Sequence, residues 1–399
     1  MKMEHIYLDH NATTPVRPEV LQAMLPFYGP EYGNPSSIHW LGREARQSIE
    51  KSREQVAAAL ACDPSEVVFT GSGTESDNQA IKGAVFANRD RGDHIITTRI
   101  EHHAVLHSFE YLQKHFNIRT TFLGVDRYGL VDPEELRRTI NQKTILVSVM
   151  QANNEVGTIQ PLPELADICR ENKALFHSDA VQAFGKLETD VKTLGVDLLS
   201  VSAHKIYGPK GTGALYVKKG TRLHPLIHGG GHERNRRAGT ENAAGIVGLG
   251  AASELAAGER LAQWDRLTAL RERLWRGIER NIPHVRRNGH PEKSLPGTLN
   301  VSFEYVEGEG ILLSLDMKGI AASSGSACTS GSLEPSHVLA AMGVPTEIAQ
   351  GSLRFSLGRD NTEQQMDYAV EVLAQAVARL REMSPIAPRA SCGIEGKSS

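Results

Sequence analysis

The 399-residue sequence has no CxxC pair and no apolar run long enough to cross a bilayer. Its four cysteines, Cys62, Cys169, Cys328 and Cys392, are too scattered for a zinc ribbon or a disulfide framework, so a reducing cytoplasm is the simplest setting. Neither sign of charge dominates. The 44 Lys and Arg face 47 Asp and Glu, a net of -3, which points away from nucleic acid and from a membrane surface. The opening MKMEHIYLDHNATTP lacks the apolar core of a secretory signal. No internal repeat occurs, nor a Walker A loop, nor the G-x-S-x-G of a hydrolase elbow.

What is present is 40% hydrophobic content, enough for a large core and two or three domains at about 150 residues each. Short β-rich runs alternate with helical patterns through the first 220 residues. EVVFTG precedes a helical stretch at 75–87, and HIITTRI precedes one at 104–116. TILVSVM precedes 161–172, after which come ALFHSDA and DLLSVSAH. Strands separated by helices of this length predict an α/β fold with right-handed crossovers and a mostly parallel sheet. GPKGTG reads as a turn into one further strand. Residues 251–281 read as a long amphipathic helix bridging to a smaller domain, which closes with a helix ending near Met383.

Ligands of such sheets gather at the carboxyl ends of the strands, and several polar stretches fall there. Gly71-Ser72-Gly73-Thr74 precedes a helix whose free amides can hold a phosphate, although a capped glycine turn would read the same way. Asp179 and Lys205 each end a strand. A desolvated lysine is a good amine nucleophile, and a lysine Schiff base opposite an aspartate is what pyridoxal phosphate requires. Singly, Asp179 reads as a cap and Lys205 as a surface residue; together with the phosphate loop they point to that cofactor. An imidazole at His102 or His103 could stack on its ring and shuttle protons. HGGGH at 228–232 offers two histidines for a metal but no third ligand nearby. Cys328 sits in SSGSACTSG, among side chains too small for a packed core, as in an accessible loop.

These stretches together resemble the cysteine desulfurases of the NifS/IscS type, within aminotransferase class V. The likeness is carried by YLDHNATTP, GNPSS, TESDN, EHHAVL, NNEVGTIQP, HSDAVQAFGK, SAHKIYGPKGTGALY, GGGHERNRRAGTEN, SSGSACTSGSLEPSH and GSLRFSLGR. It spans nearly the whole chain to about Met383. The cysteine loop and RRAGTENAAG lean toward the nitrogenase-associated branch.

The resemblance implies a fold type I pyridoxal phosphate enzyme, with a large domain at 16–258. Residues 1–15 and 259–383 would form the small domain carrying the cysteine loop, and 384–399 a disordered tail. It implies that Lys205 bonds the cofactor, that Asp179 pairs with the pyridine nitrogen, and that Gln182 and Asn154 contact the ring hydroxyl. Gly73, Thr74, Ser202 and His204 would hold the phosphate, with Thr240 reaching the phosphate of the partner subunit in a homodimer. His102 would stack on the ring, and Arg354 with Asn154 would bind the carboxylate of L-cysteine. Cys328 would take the sulfur as a persulfide, leave alanine, and pass the sulfur to an iron–sulfur scaffold protein. No resident metal is implied, though Cys328 could touch an iron–sulfur cluster in passing. RNRR at 234–237 could suggest nucleic acid, but against the balanced total charge it reads as lining a dimer interface.

Two other readings compete. Another enzyme of this fold, such as an aminotransferase or selenocysteine lyase, would leave Cys328 without an essential role. A non-enzymatic metal- or sulfur-binding protein using HGGGH and Cys328 would be colourless.

Overall fold

Within each central strand, neighbouring apolar residues enter different cores. Leu146 and Leu198 pack with Ile81, Ile95 and Phe109, whereas Val147 and Leu199 pack with Leu60, Phe69 and Phe176. Side chains alternate across a strand, so strands apolar at every position belong to a sheet covered on both faces. The computed structural model describes residues 5–324 and 335–384; Cys328, Cys392 and the tail from 385 onward lie outside them.

The sheet has seven strands, ordered Val67–Thr70, Gly213–Val217, Leu198–Ser202, Leu175–Asp179, Thr144–Ser148, His94–Thr98 and Arg119–Leu123. Only Gly213–Val217 runs against the others. The edge strand Arg119–Leu123 escapes the sequence pattern because only Leu123 of its five residues is buried. It has no apolar run to announce it.

A second sheet holds Ser323–Ser324, Ser352–Ser356, Thr298–Phe303 and Val285–Asn288, all antiparallel. The helices Gly308–Asp316 and Glu363–Met383 contribute to its core, in which Leu299, Phe303, Phe355 and Leu373 are buried. The N-terminal strand Ile6–Tyr7 joins this part of the molecule by pairing in parallel with Ile320–Ala321.

The bridging helix runs Ala243–Asn281, 39 residues or about 58 Å at 1.5 Å per residue. Its first half buries Ile246, Leu249 and Ala252 in the large core, and its second half buries Leu270, Leu274 and Ile278 in the smaller one. It starts eight residues earlier than the sequence suggests. GIVGLG looks like a helix breaker, but two of its glycines serve close packing. A side chain at Gly248 would lie 2.7 Å from Met24 Sδ, and one at Gly250 2.8 Å from Ser52 Cα. Asn242 caps the helix, accepting from Gly245 N at 3.0 Å. Among the described residues no helix is long and apolar enough to cross a membrane.

Candidate active site

Five strands of the large sheet run the same way and end around one cavity of about 280 Å³. Val67–Thr70 leads to Ser72, Gly73 and Thr74, His94–Thr98 to His102, and Thr144–Ser148 to Asn154. Leu175–Asp179 ends on Asp179, and Leu198–Ser202 leads to His204 and Lys205. Arg354 enters from the second sheet and Asn11 from the N-terminal segment.

At one end lies the start of the helix Gly73–Ala87: Gly73 and Thr74 line the cavity, and amides this early in a helix have no carbonyl partner within it. Gly73 is required there: a Cβ would stand 2.6 Å from Val181 Cγ2 and 3.4 Å from Ser202 Cβ. Ser202 Oγ is buried without a hydrogen-bond partner, and His204 is held by Thr13 Oγ1 at 3.2 Å. Burial and the Lys205 charge push the His204 imidazole down to about 4, so it is neutral at pH 7. A glycine cradle, a helix N-terminus and an unsatisfied hydroxyl are a site built for an anion.

Behind it sit two carboxyl groups, Asp179 and Asp77. Burial pushes Asp179 up to about 6, against the pull of Val181 N, which donates to its Oδ1 at 2.9 Å. Asp77 is raised further, by burial and by Asp179, and its Oδ1 finds no hydrogen-bond partner. His177 lies underneath, bonded to Ser148 Oγ at 2.8 Å and Ser200 Oγ at 3.0 Å, and burial drives it down to about 3. This neutral imidazole supplies no counter-charge, and the cation that acts on Asp179 is Lys205, which lines the same cavity. A protonated pyridine nitrogen would be a second.

Lys205 Nζ donates to the carbonyls of Asn11 and Ala12 at 2.6 and 2.7 Å. His102 caps the helix His103–Phe116, its Nδ1 accepting from Ala104 N at 3.1 Å, so the neutral ring carries its proton on Nε2. Burial and Lys205 push it down to about 4. At neutral pH His102 is therefore a donor, with its acceptor nitrogen already used.

Arg354 donates from Nη2 to Asp9 Oδ1 at 2.9 Å and from Nη1 to the Asn154 carbonyl at 3.0 Å, while its Nε is buried and unpartnered. The guanidinium is thus pre-oriented with a donor to spare, as a substrate carboxylate needs.

Three residues here escaped the sequence reading. Asp77 sits mid-helix in ESDNQA, where a carboxylate usually faces water. Asp9 and Asn11 precede any strong periodic signal, and their partners lie more than a hundred residues away. Asn11 joins the site together: its carbonyl accepts from Lys205 and from Gln182 Nε2 at 2.8 Å, and its amide donates to the Asn154 carbonyl at 3.2 Å.

Of the residues named from sequence, Gly73, Thr74, His102, Asn154, Asp179, Gln182, Ser202, His204, Lys205 and Arg354 line this one cavity. Thr240 does not; it is exposed in the segment between Gly213–Val217 and the long helix. In the HGGGH stretch His228 is exposed and His232 bonds Glu241 Oε2 at 2.9 Å. Among the described residues the only cluster with metal-ligand spacing is Asp77, His102 and Asp179 in the cavity itself. Cys169 is buried, and burial pushes Cys62 up to about 12, so neither is a reactive thiol.

The family model described as Aminotransferase class-V matches residues 6–369. The Cysteine desulfurase IscS of Methanosarcina thermophila is 54% identical over 384 residues, covering 96% of this chain and 95% of that protein. A solved NifS-like protein is 42% identical with a TM-score of 0.89, over 94% of this chain and all of that one. A structure titled SspA in complex with cysteine is 36% identical with a TM-score of 0.78, over 88% of this chain and 98% of that one.

Proposed function

The chain belongs to the aminotransferase class-V family and is a pyridoxal-phosphate-dependent cysteine desulfurase of the NifS/IscS type, and from that premise we propose which residues do the work. The observation that carries the assignment is one cavity holding Lys205, the buried carboxyl pair Asp77 and Asp179, and the glycine-started helix at Gly73. When bound, pyridoxal phosphate supplies an electron sink for the α-carbon of the substrate. Gly73, Thr74, Ser202 and His204 would hold its phosphate, Lys205 its covalent link, Asp179 its ring nitrogen, and Gln182 with Asn154 its ring hydroxyl.

Arg354 and Asn154 bind the carboxylate of L-cysteine. Lys205 Nζ would take and return the substrate's α-proton, and His102 would lie against the cofactor ring with its Nε2 proton as a donor. Cys328, as thiolate, attacks the substrate sulfur. A carbon–sulfur bond breaks, a sulfur–sulfur bond forms on Cys328, and the substrate β-carbon gains a proton and leaves as part of L-alanine. The described chain on either side of Cys328 supports this role. Ser323 pairs with Arg354, and the Ser336 hydroxyl donates to Glu155 Oε2, so both flanks are tied beside the site.

The final acceptor is an iron–sulfur scaffold protein, and the setting is the cytoplasm. The two described cysteines are free thiols, in keeping with a reducing compartment. The wording RRAGTENAAG supports the nitrogenase-associated branch. The active form is a homodimer, with Thr240 reaching the partner's phosphate. Tyr28, Tyr32, Ile38 and Trp40 support it, being 69, 75, 91 and 61% exposed within thirteen residues, an apolar surface that a second copy would cover. We divide the chain into a large domain at 16–258 and a small one at 1–15 and 259–383, a division supported by the two halves of the long helix serving different cores.

The test is alanine release from L-cysteine with a thiol reductant, comparing wild type with Cys328→Ala. The expected result is alanine from the wild type and a loss of at least about 10²-fold in the variant. Equal release from both would remove Cys328 from the chemistry, and Lys205→Ala should lose the yellow colour in either case.

A further inference from the structure

Lys205 and Asn11 form a thin wall. Both line the cofactor cavity, and both line a second cavity on the other side, closed by Trp264 and Leu267 of the long helix and by Tyr207. Lys186 faces only this rear cavity. Its Nζ donates to Gln182 Oε1 at 2.9 Å and to Asn11 Oδ1 at 3.3 Å. Gln182 Nε2 donates in turn to the Asn11 carbonyl at 2.8 Å.

The Gln182 amide is therefore clamped at both ends. An ammonium can only donate and a carbonyl can only accept, so Oε1 must face Lys186 and the NH₂ must face Asn11. One N–H remains, and Gln182 lines the cofactor cavity.

Lys186 is also a cation without a counter-charge: among the described residues it makes no ion pair. The groups around it are cationic or neutral. Burial pushes Lys186 down to about 7, helped by Lys205 from the end of its strand and Arg354 from the second sheet. His10 and His204 face it as neutral rings, each lowered by burial. The carboxylates nearby are engaged, Asp9 by Arg354 and Glu259 by Arg17. A desolvated cation left this way lacks one partner, an anion in the cavity ahead.

We propose that Lys186 is a positioning residue, which holds the Gln182 amide with an N–H turned to the ring oxygen of pyridoxal phosphate and places a positive charge behind that oxygen. The inference rests on the reading above, in which Gln182 meets the ring hydroxyl. Lys186 touches neither substrate nor cofactor. Its effect is to keep the ring oxygen ionised and hydrogen-bonded, which fixes how firmly and in which protonation state the cofactor is held.

The test uses the holoenzyme with Lys186→Met and Lys186→Arg. The readouts are the pH midpoint at which the visible band of the lysine-bound cofactor converts, cofactor retention on dilution, and KM against kcat. Losing a proton makes the bound cofactor more negative, and a nearby cation favours that form. Removing the cation should raise the midpoint by about one unit. Cofactor affinity should fall about tenfold in Lys186→Met, the KM for cysteine should stay within about twofold of wild type, and Lys186→Arg should keep the wild-type midpoint. Should Lys186→Met not fold, Lys186→Gln carries the same expected shift, since it also lacks the charge.

A variant midpoint and affinity superimposing on the wild type would overturn the proposal. So would a Lys186→Arg midpoint displaced as far as that of Lys186→Met, because packing and not charge would then matter. A wild type that releases alanine and shows the band keeps the desulfurase reading in both cases. A wild type with neither would remove that reading and this inference together.

Discussion

Glu155 is a carboxyl group kept from water by the fold, with its Oε2 accepting from the Ser336 hydroxyl beside the site. Burial pushes it from 4.5 up to about 7, against the weaker pull of Arg354. A raised acid destabilises the fold as pH rises through this window, because the unfolded chain ionises first. The cost begins near pH 4.5 and is complete above about pH 7. Glu155→Gln keeps an acceptor for Ser336 and removes the ionisation. It should stabilise the protein by about 3 kcal/mol above pH 7, with the gain fading toward pH 4.5, as urea midpoints taken across pH will read. At this scale the sequence was partly legible. Lys205 and Asp179 stood out because a polar residue closing an apolar strand needs a reason. Asp77 did not, because its burial comes from the sheet that ends above it and not from its own helix.

Among the elements, the central strands and their alternation with helices were readable because strands buried on both faces spell continuous apolar runs. The start of the long helix was not, since glycine's low helix propensity was outweighed by a close approach that only the folded partners reveal. The segment bearing Thr240 has no periodicity at all, and the most buried of the ion pairs that hold it joins Glu233 to Arg53. Arg53 Nη2 meets Glu233 Oε1 at 2.7 Å with both side chains under 5% exposed, and Glu233 Oε2 also accepts from Phe69 N at 2.9 Å. Removing the carboxylate leaves the buried guanidinium with only the half-exposed Glu50 and the Val67 carbonyl. Glu233→Ala should therefore cost roughly 3 to 5 kcal/mol in chemical denaturation. A loss below about 1 kcal/mol would mean the segment is held by its other contacts, such as Arg237 on Glu75.

For the whole molecule, the exposed face of Tyr28, Tyr32, Ile38 and Trp40 sets the assembly prediction. Trp40 opens the helix Trp40–Leu60, where an aspartate suits the helix dipole, so Trp40→Asp can disturb the face without unfolding the helix. Paired with Ile38→Asp, it should halve the mass seen by light scattering and weaken cofactor retention. An unchanged mass would place the interface elsewhere.

The N-terminal segment also gives the protein a history. Ile6 and Tyr7 pair with Ile320 and Ala321, Asn11 N donates to Ser356 Oγ, and the His10 ring bonds the Ser356 carbonyl. A ribosome makes Ile6 first among these and Ser356 last, and at ordinary synthesis speeds the interval is on the order of tens of seconds. The large sheet can form meanwhile, but Asn11, which bonds Lys205 and Gln182, still lacks its Thr298 and Ser356 partners. The nascent chain is therefore a desulfurase without a finished catalytic floor until its own last strand emerges.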